Sequence, residues 1–259
     1  GVRGWGGGAR GFVRGGWWGP ERRRSIEFEV SGGYALFTDP LRKVGGEKCS
    51  YHVPTYEALK GIAKSIYWKP TLIWVIDEVR VMKRIRTQTK GVKPLDLGGG
   101  NSLAIYTFLA DVQYQVRAHF EWNEHRPELS DDRIEAKHHA IAQRMIDRGG
   151  RQDVFLGTRD CQGYVQACEF GSGAGELDDA GELAFGLMFH GFDYPDETGG
   201  TELHARFWRP TMVNGVIRFS HPQDCTERRF VRSMSVKAFG LNQDIRPVDA
   251  DASEMGVSA

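Results

Sequence analysis

The chain lacks several things that would decide its class at once. No apolar run approaches the roughly 20 residues a membrane-spanning helix needs. No signal-peptide pattern is present. The net charge is zero over 259 residues, which argues against a generic nucleic-acid coat. There are four cysteines, Cys49, Cys161, Cys168 and Cys225, without the paired short spacings of a zinc site. They read as reduced thiols, some of them core residues, and a cytoplasmic location is expected. Gly157-Thr158-Arg159-Asp160-Cys161-Gln162-Gly163 is a Gly-bounded loop but lacks the Gly-Lys-Ser/Thr ending of a nucleotide P-loop, so ATP binding is not indicated. The acids Asp193, Asp196 and Glu197 match no metal-binding spacing and read as a polar turn. No metal and no cofactor are expected.

Charge distribution says more than its sum. Residues 25–95 carry 12 Lys and Arg against 7 acids. Residues 171–205 carry 8 acids and no Lys or Arg, and residues 206–246 carry 8 basic residues and 3 acids. Two basic stretches and one acidic stretch can build a positive groove, unless the charges interleave and cancel on the folded surface.

Residues 1–24 are Gly- and Arg-rich, aperiodic and without an initiating Met. Such a segment buries too little apolar surface to offset its ordering entropy. It reads either as an RGG-like RNA-binding arm or, preferably, as an extraneous disordered leader. Structure is expected from residue 25. Ile26, Phe28 and Val30 alternate with Glu27 and Glu29 as in a strand. Thr55 is a helix N-cap, with Leu59, Ile62, Ala63 and Ile66 at helical spacing. That helix stops near Trp68, because Pro70 disfavours helix at Lys69.

Thr71 to Lys83 reads as a strand, Gly91 to Asn101 as a flexible loop or hairpin tip, and Val112 to Trp122 as a second long strand. Ser130 caps a second helix ending before Gly149, with Asp131 and Asp132 in its first turn and Ile134, Ile141, Ala142, Met145 and Ile146 on its apolar face. Arg151 to Leu156 adds a short strand. The order βαββαβ predicts an α+β fold with an N-terminal ferredoxin-like domain, residues 25–157, of the kind also used by RNA-recognition domains. Residues 158–246, with short runs between Gly, Pro and Asp turns, predict a small antiparallel β domain. Residues 247–259 read as a flexible tail.

The strongest local feature is Lys137-His138-His139, expected in the middle of the second helix. A His titrating near neutrality can give and take a proton. A Lys beside it can stabilise charge developing on a phosphate. The pair is also compatible with a boundary histidine beside a solvated lysine. Tyr67, at the end of the first helix, is either core or a hydroxyl that orients a reacting group.

The strings GYALFTDPLRKVGGEKCSY, VPTYEALKGIAKSIYWKP, GGGNSLAIYTFL, YQVRAHFEWNEHRPE, DVFLGTRDCQGYV and CEFGSG resemble the CRISPR-associated RAMP proteins of the fifth Cas family, subtype I-C. The resemblance runs from about Ile26 to about Arg246. It implies a ferredoxin-like RAMP domain followed by a β domain. It implies a metal-independent endoribonuclease that cleaves the repeat hairpin of precursor crRNA and stays on the 5′ handle. The expected partners are the crRNA, the backbone RAMP subunit and the large subunit of the surveillance complex, with no membrane and a monomer when alone. It assigns the catalytic roles to Tyr67, Lys137 and His138, with His139 one register step away. Cleavage through the RNA's own 2′-hydroxyl would leave a 2′,3′-cyclic phosphate. Lys43, Lys48, Arg84, Arg86 and Arg159 are expected to contact the RNA backbone. The rival readings are a non-catalytic crRNA-binding subunit and, lacking a convergent carboxylate cluster, a metal-dependent DNA nuclease.

Overall fold

The alternation of apolar and polar residues builds one long antiparallel sheet. The computed structural model describes residues 24–38, 47–93, 100 and 103–236. Its strands and helices are β1 (Ser25–Ala35), α1 (Tyr56–Ile66), β2 (Leu72–Val81), β3 (Thr87–Val92), β4 (Ala104–Trp122), α2 (Glu135–Asp147), β5 (Val154–Phe155), β6 (Gln162–Ala167), β7 (Glu182–Ala184), β8 (Met188–Asp193), α3 (Pro195–Thr198), β9 (Glu202–Trp208), β10 (Thr211–Val213), β11 (Val216–Arg218) and β12 (Glu227–Ser233). The protein is a mixed α+β molecule. The main sheet runs β5-β6-β1-β4-β2-β11-β10-β7, with β3 also paired to β4, and a second sheet runs β12-β9-β8. Among the described residues no helix is long and apolar enough to cross a membrane. None of the four cysteines forms a disulfide among the described residues, and Cys161 and Cys225 are buried.

Strand β4 organises the core. Val112, Tyr114, Val116, Ala118 and Phe120 share its buried face. Each large side chain buried there contributes about 1.5–3 kcal/mol. Against that face pack Leu59, Ile62, Ala63 and Ile66 of α1 and Ala142 and Ile146 of α2. Thr55 caps α1 as expected, its side chain accepting from the Ala58 N–H.

Three expectations need correction. Helix α2 begins at Glu135, with Ile134 as an N-cap that makes no side-chain hydrogen bond, while residues 127–132 form a separate 3₁₀ turn started by Pro127. Ser130 is therefore no cap, and Ile134 is 53% exposed and off the apolar face. The loop expected from Gly91 begins later, because β3 pairs through Val92 with β4, which itself starts at Ala104. The main sheet also runs through the expected boundary at 157. Strand β6 pairs with β1, and β11 pairs with β2. Among the described residues only β8, β9 and β12 form a sheet of their own. Residues 1–23 and 237–259, covering most of the expected leader and all of the expected tail, lie outside the described residues.

The other face of the main sheet is charged. Arg117 of β4 bonds Glu27 of β1 and Glu78 of β2, and Glu78 bonds Arg218 of β11, a row crossing four strands. One step along β4, His119 Nδ1 lies 2.8 Å from Asp77. Burial opposes its protonation, but hydrogen bonds to Asp77 and Glu121 overcome this and raise its pKa to about 9.

At Gly157, with φ at +97°, an added Cβ would fall 2.1 Å from the Leu36 carbonyl oxygen. Gly157→Ala should destabilise the fold by about 2 kcal/mol or more, read from urea denaturation. Gly33→Ala, which meets nothing within 4 Å, should stay within about 0.5 kcal/mol of wild type. His119 favours its charged form in the fold, so its stabilisation is full below its unfolded pKa of about 6.5 and is lost as pH rises through about 9. The stability gap between wild type and His119→Gln should close over that window.

Candidate active site

The ends of α1 and α2 meet over the C-terminal end of β4. Tyr67 is the C-cap of α1, extended at φ −157° and ψ 131°, and its N–H bonds the Ala63 carbonyl. The Trp74 indole N–H donates to the Tyr67 carbonyl at 2.6 Å and fixes the turn. His138 lies in the first turn of α2, not in its middle, because the helix starts late. Its ring sits among Tyr67, Phe120 and Trp122, with centroids 5.9, 6.2 and 5.6 Å away.

The Tyr67 hydroxyl and His138 Nδ1 are 2.8 Å apart. His138 Nε2 lies 2.6 Å from the Asp132 carbonyl oxygen. A carbonyl only accepts, so Nε2 carries a proton and donates it there. In the neutral form of the ring Nδ1 is then the acceptor, and the Tyr67 hydroxyl donates to it. Lys137 points outward, its Nζ 2.5 Å from Asp132 Oδ1, and the Thr71 hydroxyl donates to Asp132 Oδ2 at 2.9 Å. The structure thus brings Tyr67, Lys137 and His138 into one cluster, with Asp132 as its hub.

Two shifts follow. Burial, and then the negative charge of Asp132, raise the Tyr67 pKa, against a lowering by Arg151. The phenol is therefore held as a donor. The Lys137 hydrogen bond, ahead of the opposing burial and with help from Thr71, keeps the Asp132 carboxyl below the usual range. Both catalytic candidates with rings are buried, Tyr67 at 2% and His138 at 0% exposure, whereas the Lys137 side chain is 45% exposed. His139 turns away, its Nε2 3.1 Å from the Ser25 carbonyl oxygen.

The structure does not gather the expected RNA contacts around this cluster. Lys43 lies outside the described residues. Lys48 is half-buried, its ammonium 5.1 Å from the Tyr106 ring centroid. Arg84 and Arg86 follow the far end of β2, at 3.6 and 3.9 Å from Glu176. A strand of ten residues puts them about 30 Å from Thr71. Arg159 is exposed in the turn closed by the Cys161 N–H to Thr158 carbonyl bond. The sequence reading missed Asp132 as a site residue, and it missed Arg151, whose N–H bonds the Ser65 carbonyl and whose charge reaches Tyr67. The acids Asp193, Asp196 and Glu197 do not form a free polar turn. They pair with Arg206 and Arg228, with Arg126, and with Lys60 and Lys64.

The family model described as CRISPR-associated protein (Cas_Cas5) matches residues 25–220. The chain belongs to this family. Two relatives are named CRISPR pre-crRNA endoribonuclease Cas5d. One, from Mannheimia succiniciproducens, is 29% identical over 222 residues, covering 74% of this chain and 93% of the relative. The other, from Thermus thermophilus, is 28% identical over 196 residues, covering 71% and 80%. Among solved structures, a CRISPR-associated protein matches at 36% identity and TM-score 0.66, over 80% of this chain and 96% of that one. A protein of Streptococcus mutans, described as functionally uncharacterized, matches at 38% identity and TM-score 0.67, over 80% and 97%.

Tyr67→Phe removes the donor to a buried imidazole nitrogen. It should cost about 1–3 kcal/mol of stability, measured by urea denaturation. A loss below about 0.3 kcal/mol would mean that the bond is not held in solution.

Proposed function

We propose that this chain is a metal-independent endoribonuclease acting on CRISPR repeat hairpins in precursor crRNA. The observation that carries it is the Tyr67–His138 hydrogen bond, with Lys137 beside it, in a member of the Cas5 family with relatives named CRISPR pre-crRNA endoribonuclease. The strand order β6-β1-β4-β2, with both helices packed against this part of the sheet, supports reading its core as a ferredoxin-like RAMP domain. The partners would be the repeat RNA and, after cutting, the other subunits of a crRNA-guided complex.

The chemistry is an attack of the 2′-hydroxyl on the adjacent phosphorus. As the 2′-oxygen bonds phosphorus, its proton passes to the Tyr67 oxygen while the Tyr67 proton passes to His138 Nδ1. Tyr67 ends neutral and His138 ends as imidazolium, so the relay avoids a free phenolate next to Asp132. Lys137 exchanges Asp132 for a phosphate oxygen and stabilises the phosphorane. The leaving 5′-oxygen takes a proton from a solvent water, and His138 returns its extra proton through Tyr67 to the hydroxide so formed, which restores the starting protonation of both residues. The products are a 2′,3′-cyclic phosphate and a 5′-hydroxyl.

The test is incubation of the purified protein with its own repeat RNA in EDTA. The hairpin should be cut once. A 2′-deoxy nucleotide at the cut should abolish cleavage and preserve binding. Lys137→Ala should slow single-turnover cleavage by about a hundredfold or more, with hairpin affinity nearly unchanged. An absolute need for a divalent metal, or cleavage of the deoxy substrate, would overturn the mechanism. The burial of both rings favours one other reading, a crRNA-binding subunit without catalysis. Binding without any cutting, by wild type and variants alike, would establish it.

A further inference from the structure

The Asp132 carboxylate touches both halves of the candidate active site. Its Oδ1 lies 2.5 Å from Lys137 Nζ, and its Oδ2 lies 3.5 Å from His138 Nε2. The same ring nitrogen lies 2.6 Å from the Asp132 carbonyl oxygen. One residue therefore faces this edge of the ring with a neutral and a charged acceptor. The Thr71 hydroxyl donates to Oδ2 at 2.9 Å. Thr71 is buried, and its carbonyl accepts from the Asn123 N–H just past β4. The carboxylate is thus anchored to the sheet independently of Lys137.

The two charged neighbours of this carboxylate differ in freedom. The His138 ring is fully buried, whereas Lys137 is exposed on a flexible four-carbon stem. Other charged groups face the cluster as well. Arg24 lies over the Trp122 ring at 5.3 Å and bonds Glu135, and the charge of Arg151 reaches Tyr67. In the free protein Asp132 and Lys137 neutralise one another. Once a phosphate takes Lys137, the carboxylate keeps its bond from Thr71, an uncharged donor, and its charge is left for His138 to answer. The relay proposed above then creates the cation. When Tyr67 passes its proton to Nδ1, the ring carries N–H at both nitrogens and one positive charge, with Oδ2 beside Nε2. A base oriented and counter-charged by a third group is the logic of hydrolytic triads.

We propose that the Asp132 carboxylate changes partner during the reaction: it holds Lys137 before RNA binds, and it becomes the counter-charge of the His138 imidazolium once a phosphate has taken Lys137, with Thr71 keeping it in place. Arrival of the phosphate thereby strengthens His138 as a base when the relay needs it. Asp132 and Thr71 touch neither the phosphate nor the attacking hydroxyl and act through His138 and Lys137, so both are positioning residues. The assignment rests on the RNA-cleavage reading above and adds a substrate-coupled control to it.

The experiment measures single-turnover cleavage of the repeat hairpin across pH, with protein saturating. Asp132→Asn keeps the backbone carbonyl and an oxygen for Thr71 but removes the charge. Its rate should fall about tenfold or more, while hairpin affinity stays at or above wild type because Lys137 is released. The relay needs His138 uncharged, and Asp132 favours the charged ring. The acid limb of the pH–rate profile should therefore move to lower pH in the Asn variant. Thr71→Val should shift rate and limb in the same directions, and Thr71→Ser should restore both. A merely structural role would lower the rate and leave the limb in place. The His138 ring is also followed by NMR titration, with and without the uncleavable 2′-deoxy hairpin. On RNA binding its protonation should move up by about one pH unit in wild type and by less than half of that in Asp132→Asn. The phosphates act on both proteins, so the difference reports the carboxylate. If urea denaturation shows that Asp132→Asn does not fold, the Thr71 pair decides. An unmoved acid limb in the variants, or an equal NMR shift in wild type and Asp132→Asn, overturns the proposal. Failure of the underlying reading looks different, since wild type would then leave the hairpin uncut in EDTA.

Discussion

The period-two alternation of β4 is the constraint on which the rest of this molecule depends. Its even-numbered residues from Val112 to Phe120 are buried under both helices. Its odd-numbered residues Arg117, His119 and Glu121 carry charge onto the other face. A slip of one residue would exchange the two sets and bury the charges. Pairing with β1 on one side and β2 on the other holds the register. Because the strand runs out at Trp122, its last turn of alternation places an aromatic cage on one face and a carboxylate on the other.

Asp132 shows how the chain connects that scaffold to chemistry. Its carbonyl accepts from His138 Nε2, and its carboxylate accepts from Lys137 and Thr71. Thr71 immediately precedes β2, so the turn 127–132 is tied to the sheet as well as to α2. A carbonyl pulled into this arrangement belongs to a turn outside the helix. The late start of α2 and the fixed tautomer of His138 are two consequences of one local geometry.

Much of this could be read from residues alone. Thr55 as a cap, the apolar stripe of α1, and the alternation of β1 and β4 are local signals, and the structure realises them. The adjacency of Lys137 and His138 on one helix, and the closeness of Tyr67 once the two helices share a face, were legible from spacing together with the family resemblance. The failures were non-local. Ser130, Asp131 and Asp132 look like a helix start, and only the tertiary partners Thr71 and His138 make the segment a turn. Strands β6 and β11 look like parts of a later domain, and only pairing with β1 and β2 puts them in the first sheet. Basic residues such as Arg84 and Arg86 are easy to count, but their separation from Tyr67 depends on the length of β2.

The same logic assigns different work to the three clustered side chains. Burial and the Asp132 charge make a free phenolate at Tyr67 expensive, so the hydroxyl proton leaves only when another arrives. His138 cannot turn its ring to meet RNA without giving up the Asp132 carbonyl bond, which would leave a buried N–H unsatisfied. Lys137 has the opposite character. It is exposed, it pairs with the Asp132 carboxylate, and exchanging that carboxylate for a phosphate keeps a charge-assisted bond throughout. In the proposed reaction, a rigid, buried proton relay beside one exchangeable cation leaves the positioning of RNA to contacts outside the cluster. Arg151 is close enough to supply charge.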